Sequence, residues 1–260
     1  LSNLFYDSGK LNLIEEDYSN FISDQINLFI SEFNLNPNYI SSHGHTVFHQ
    51  PKNGYTKQIG RGDIIAKKTR FPVVSNFREQ DILLGGQGAP LVPFGDHLLF
   101  SSYDSCLNLG GFSNISYFSK NELYAYDICP INIVFNSLCK KLGQEFDRDG
   151  LNASKGKINK DLLNDLNNIQ YYGYRAPKSL SKEWVEKVFN PILNNYKISV
   201  FDLLRTCLEH FVFQINNALN NLNISNCLIT GGGVFNKFLI KQLNLKANVK
   251  LIIPEKDIII

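Results

Sequence analysis

An apolar strand-like run at residues 227–230 passes without interruption into Gly231, Gly232 and Gly233, and a helical pattern begins at Asn236. No other stretch limits the fold so sharply. Three residues without side chains between a strand and a helix let a ligand lie against the backbone at a helix start, where N–H groups point outward. A second strand-like run at 249–253 completes a strand, helix, strand unit of the kind from which α/β proteins are built. The glycines match neither G-x-G-x-x-G nor the Walker A pattern, so neither a dinucleotide fold nor a P-loop enzyme is indicated.

Upstream, periodicity alternates between strand and helix. Apolar residues from Tyr18 to Phe33 recur at spacings of three and four, which predicts an amphipathic helix over 15–33 packed on one face. Short β-rich runs at 39–42, 46–50, 55–59 and 73–76 read as strands, and Asp63 is placed to cap a short helix through Lys68. Runs at 105–109, 114–118 and 123–126, separated by Gly110-Gly111 and by 119–122, predict an antiparallel meander. Helical patterns follow at 131–142, 160–169, 182–189 and 200–222. The expected architecture is a mixed α/β protein of two lobes, 1–104 and 105–260.

Length and charge narrow the partners. The 260 residues carry a net charge of +2, with neither sign in blocks, so no nucleic-acid or anionic-membrane footprint is expected. Cys106, Cys129, Cys139, Cys207 and Cys227 are widely spaced, odd in number and free of any C-x-x-C pair, which fits reduced thiols in a cytoplasm rather than disulfides or structural zinc. No apolar run approaches the roughly 20 residues of a membrane span. A start at Leu1 with no methionine in the chain, and an end on Ile258, Ile259 and Ile260, suggest that both ends are cut.

Several constellations carry chemistry. Gly85-Gly86-Gln87-Gly88-Ala89-Pro90 follows Asp81 closely, so backbone amides and a carboxylate can meet one ligand; a tight surface turn with a solvated aspartate explains the same residues. Gly110-Gly111, with Ser113 and Asn114 behind it, suits a phosphate-facing hairpin or simply a turn. His43, His45 and His49 form H-x-H-x-x-x-H, but no Cys or carboxylate completes a metal site, and 42–46 reads better as a polar strand end presenting donors to a sugar. Asp127, Pro130 and Asn132 stand at a predicted helix start, whereas 147–150 reads as cap and turn formers.

In order, the segments 42–51, 58–60, 78–81 with its 85–93 sequel, and 107–115 resemble the anhydro-N-acetylmuramic acid kinase family, and 127–132, 147–150 and 230–236 extend the likeness across about 40–254. The resemblance implies the two-lobed actin-like, ribonuclease H-like ATPase fold, with 1–104 on the substrate side and 105–260 on the nucleotide side. It implies ATP with Mg²⁺, opening and phosphorylation of 1,6-anhydro-N-acetylmuramic acid to N-acetylmuramic acid 6-phosphate in peptidoglycan recycling, and a homodimer. Carried over residue by residue, it makes Asp81 the catalytic base and Ser42, His43, Gly44, His45, Gly86, Gln87 and Gly88 substrate-binding. Gly110, Gly111, Asn114, Asp127, Asn132, Gly231, Gly232, Gly233 and Asn236 become nucleotide-binding, with no metal ligand assigned.

There are departures from the family pattern. A Gly-Thr-Ser-x-Asp-Gly phosphate loop would precede Leu1 and a helix with a substrate-side Glu would follow the Pro254 region. His45 stands where many members have Gln, and Asp127-Ile128-Cys129-Pro130 replaces Asp-Thr-Gly-Pro. Two alternatives stay open: another actin-like sugar or carboxylate kinase, and a non-catalytic sensor of muropeptide or nucleotide.

Overall fold

The computed structural model describes residues 8–50, 53–86, 88, 91–120 and 122–256. They form two compact units that divide between Leu91 and Val92. The division falls ahead of the 104/105 boundary read from the sequence, because a helix at Val92–Leu99 packs on the sheet of the second unit.

In the first unit, helix α1 (Ser8–Glu32) packs on α2 (Gly62–Thr69) and β3 (Tyr55–Ile59). Two small ladders complete it: β1 (Ile40–Ser41) beside β4 (Val73–Val74) in parallel, and β2 (His45–Gln50) antiparallel to β3. Helix α3 (Phe77–Leu83) follows β4. The line that α1 buries differs from the expected apolar stripe. Glu15, Ser19 and Ser23, spaced by four, are buried, whereas Phe21, Phe29 and Phe33 are more than half exposed. Small side chains on that line suit a close approach to α2, and their polar atoms are satisfied. Ser19 and Ser23 donate to carbonyls one turn back, the Arg61 amide donates to Ser19 Oγ, and Glu15 pairs with Lys57 at 2.7 Å. Asp63 lies in the first turn of α2 rather than at its cap, where the Arg61 side chain caps no helix amide, and it pairs with the Arg61 guanidinium instead.

The second unit is built on one five-stranded sheet. Strands β5 (Ser105–Leu109), β6 (Phe112–Ser119) and β7 (Glu122–Pro130) form the expected meander, and β8 (Asn226–Thr230) and β9 (Lys250–Ile252) add in parallel beside β5. The order is therefore β7-β6-β5-β8-β9, with β6 alone running against the rest. Helix α4 (Val92–Leu99) packs on β6 and β7, where Ser116 donates to Asp96 at 2.8 Å. Around the core stand α5 (Asn132–Lys140), α6 (Leu151–Lys155), α7 (Lys160–Asn167), α8 (Lys182–Trp184) with the π turn Val185–Phe189 and α9 (Asn190–Asn194), α10 (Val200–Asn220) and α11 (Lys237–Lys246).

Helix α10 is the centre of that core. Ser199 caps it by accepting the Asp202 amide, and its stripe Leu204, Cys207, Leu208, Phe211, Ile215 and Leu219 is fully buried. Each such Leu, Ile or Phe contributes about 1.5–3 kcal/mol by leaving water. The stripe anchors the sheet, so the turns at its edge are held on a rigid base. Among the described residues no helix is long and apolar enough to cross a membrane.

Candidate functional site

The first unit brings Asp81 and the glycine loop together. Asp81 lies near the end of α3, and its Oδ2 accepts the Gly88 amide at 2.6 Å. Between them the chain passes so close that a Cβ on Gly86 would sit 2.2 Å from Asp81 Oδ2, so only glycine leaves the carboxylate where it is. One carboxylate oxygen is thus fixed by backbone while Oδ1 makes no hydrogen bond within the described residues. Gln87, Ala89 and Pro90 lie outside the described residues.

Arg78, three residues before Asp81 and so on the same side of α3, ties this loop to the polar strand end. Its Nη1 donates to the Gly88 carbonyl at 2.7 Å and its Nε to His43 Nε2 at 3.1 Å. Since Nε2 accepts, the His43 proton is on Nδ1, which donates to the Gly44 carbonyl at 3.0 Å. Partial burial lowers the Arg78 pKa below the usual guanidinium value, yet the group holds two acceptors at once. Arg78 was visible in the sequence only as part of 78–81; its bonding role appears once α3 is seen as a helix.

The remaining residues of this end are close in sequence but less engaged. Ser42 is half-buried, its amide donating to Val74 at 2.9 Å, and His45 is exposed with its ring centroid 6.4 Å from that of Tyr18. The side chain of His49 lies outside the described ones. Among the described residues no group of three His, Cys, Asp or Glu side chains could hold a metal ion.

In the second unit, the two glycine turns sit at the ends of neighbouring strands. The Gly110-Gly111 hairpin accepts the first amides of α5: Ile131 and Ile133 donate to Gly111, and Asn132 to Gly110. Asn132 Nδ2 also donates to Leu109 at 3.2 Å. Across the strand pair, Gly231 adopts φ +83°, and a Cβ there would stand 2.2 Å from Asn108 Oδ1. A Cβ on Gly233 would stand 2.6 Å from that of Leu109, whereas Gly232 faces open space. Asn108, not singled out by the sequence reading, therefore underlies the first of the three glycines.

A cavity of about 430 Å³ opens beside these turns. Of the expected residues, Asn132, Gly232 and Asn236 line it, joined by Phe135, Asn136, Phe146, Asp147, Asp149 and Phe235 among others. Asn236 caps α11 by accepting the Leu239 amide. Asp147 accepts the amides of Asn152 and Ala153, one on each oxygen, which makes it the cap expected of it. Asp149 pairs with Lys237 at 3.2 Å.

Asn114 and Asp127 are not part of that cavity wall. They are cross-strand partners of each other, and Asn114 of Asn108, in a polar row across β5, β6 and β7. The Asp127 carboxylate accepts the Leu180 amide at 2.8 Å, and burial raises its pKa against that bond. Its carbonyl takes the Tyr171 hydroxyl at 2.6 Å. These partners, with the Asp127 amide donating to the Lys178 carbonyl, tie β7 to the turn at Gln170–Gly173 and to the loop at 178–180.

A meander continued by two parallel strands, in the order third, second, first, fourth, fifth, is the ribonuclease H-like arrangement shared by actin-like ATPases, here with glycine turns at the strand ends. The family is shown by direct comparison: a family model described as anhydro-N-acetylmuramic acid kinase matches residues 8–255, and the chain belongs to that family. The anhydro-N-acetylmuramic acid kinase of Clostridioides difficile strain 630 is 37% identical over 237 residues, covering 82% of this chain and 62% of that protein. That of Aliivibrio fischeri is 38% identical over 215 residues, covering 78% and 59%. That of Pseudomonas syringae pv. syringae is 32% identical over 246 residues, covering 89% and 67%. The chain thus spans about three fifths of the length of the first two relatives.

Proposed function

We propose that the chain belongs to an ATP-dependent kinase that opens 1,6-anhydro-N-acetylmuramic acid with water and phosphorylates it to N-acetylmuramic acid 6-phosphate, a step of peptidoglycan recycling. The observation that carries the reading is the Asp81 carboxylate, held by Gly88 on one oxygen within a chain that belongs to this kinase family. The same reading makes the protein a cytoplasmic homodimer whose partners are small molecules. A near-neutral net charge supports the exclusion of nucleic acid.

In this mechanism Asp81 takes a proton from water as the water oxygen attacks the anomeric carbon. The bond from that carbon to the six-position oxygen breaks, and the released oxygen attacks the γ-phosphorus of ATP while the bond to ADP breaks. Gly88 holds Asp81 in place, and Arg78 holds Gly88 and His43, so carboxylate, loop and strand end keep one arrangement. Ser42, His43, Gly44, His45 and Gly86 to Gly88 surround the sugar in this reading. The glycine turns and Asn132 and Asn236 take the nucleotide, and Asn114 and Asp127 support that end from the sheet.

The cavity wall fits a magnesium ion that arrives on the triphosphate. Asp147 spends both oxygens on backbone amides and Asp149 Oδ1 pairs with Lys237, so Asp149 Oδ2 is the carboxylate oxygen left to face such an ion, and phosphate oxygens and water would supply the other ligands. Such an ion offsets charge on the transferred phosphoryl group. The test is a substrate panel with the full-length protein, ATP and Mg²⁺, with products identified by mass. The expected product comes from the anhydro sugar; efficient phosphorylation of hexoses or acetate, with the anhydro sugar untouched, would refute the assignment.

A further inference from the structure

The cavity of the second unit carries two features that no phosphate requires. Phe146 and Phe235 line it with 50% and 43% of their surfaces exposed, and neither ring is paired with another ring among the described residues. Large apolar side chains left half in water on the wall of one cavity are a place for a planar ligand.

The polar side chains of the wall can be sorted by what they already bond. Asn132 donates to Leu109, Asn236 caps α11, Asp147 caps α6, and Asp149 is paired with Lys237. Asn136 has no hydrogen bond to the described residues, and it lies one helical turn beyond Asn132 on the same side of α5. Arg148, the other wall side chain without such a bond, is exposed and offers only donors. Asn136 is therefore the wall side chain that brings an uncommitted donor and acceptor together. That pair matches the edge of adenine, where an amino group adjoins a ring-nitrogen acceptor, and mismatches the corresponding edge of guanine, which offers two acceptors.

We propose that Phe146 and Phe235 hold the base of the nucleotide and that Asn136 reads its edge, so that preference for adenine over guanine rests on this one amide. The proposal depends on the nucleotide reading above and names the residues that recognise the base within it. Gly232, exposed and with open space around it, leaves the backbone end of the same cavity free for the rest of the nucleotide.

The experiment is calorimetric titration of the full-length protein with ATP, GTP and inorganic tripolyphosphate, the last a probe without a base. For Phe146→Leu, ATP affinity is expected to fall about tenfold, the size of one lost base stack, with tripolyphosphate binding unchanged. For Asn136→Ala, the ratio of ATP to GTP affinity is expected to fall at least about fivefold, the lower end of one bidentate contact. An unaltered ratio in Asn136→Ala, or equal losses for ATP and tripolyphosphate in Phe146→Leu, would overturn the proposal. Should the wild-type protein bind ATP while either variant gives such a result, the base assignment alone is wrong; should it bind neither ATP nor tripolyphosphate, the nucleotide reading falls and this one with it.

Discussion

His210 sits inside α10 with no exposed surface, its Nδ1 2.6 Å from Asn167 Oδ1 and its Nε2 2.8 Å from the Tyr172 hydroxyl. Rings of Phe189 and Phe211 lie 5.8 and 5.6 Å away, and among the described residues no carboxylate is bonded to it to favour the cation. Burial accordingly lowers its pKa from 6.5 to about 3. The folded protein keeps the imidazole neutral where the unfolded chain binds a proton, so stability is full above pH 6.5 and falls as the pH drops toward 3. Each unit costs up to about 1.4 kcal/mol, which gives about 2 kcal/mol lost between pH 7.5 and pH 5. Asp96 and Asp127, raised by burial, act in the opposite sense, so the informative quantity is the difference between wild type and His210→Gln. Denaturant unfolding followed by Trp184, which lies 6.3 Å from Phe189 in the same cluster, reports on this region. The variant should be less stable at pH 7.5 and should lose about 2 kcal/mol less than wild type on going to pH 5. Parallel pH dependences in the two proteins would refute the buried neutral histidine.

Two further outcomes follow from the glycine turns. Gly86→Ala should displace the Asp81 carboxylate, since the added Cβ would stand 2.2 Å from it, and turnover should drop at least about tenfold with thermal unfolding little changed; wild-type turnover would show that the carboxylate position is irrelevant. Gly232→Val, placed where a side chain meets open space, should fold normally and weaken ATP binding more than sugar binding. Unchanged ATP affinity by calorimetry would remove the 231–233 turn from the nucleotide site.

Elements with one clean period were legible in the sequence. The helix predicted over 200–222 spans Val200–Asn220, because its 3.6-residue apolar stripe is the buried one, and the strands at 55–59 and 105–109 appear with the predicted bounds because they are short β-rich runs bracketed by glycines and turn residues, although 105–109 is buried on both faces rather than alternating. Helices α3 and α4 were not legible. The first begins after Asn76 in a left-handed conformation, and the second opens on Val92 and Pro93 inside a stretch whose glycines and prolines read as loop. The buried face of α1 was missed for another reason: Glu15, Ser19 and Ser23 look like a solvent face until their partners on α2 and β3 are seen. The glycines and Asp81 were legible because few residue types permit close backbone approach beside a carboxylate. Arg78, Asn108 and Asn136 depend on contacts between residues distant in sequence or on a helix not foreseen, so pattern alone could not select them.

The role of Asp81 is the central claim, and Asp81→Asn tests it most directly because it keeps size and shape while removing the base. In the full-length protein, kcat for the anhydro sugar with ATP should fall about 100-fold or more, while calorimetric affinity for the anhydro sugar stays within a few-fold of wild type. A folded Asp81→Asn protein that turns over within a few-fold of wild type would contradict the account.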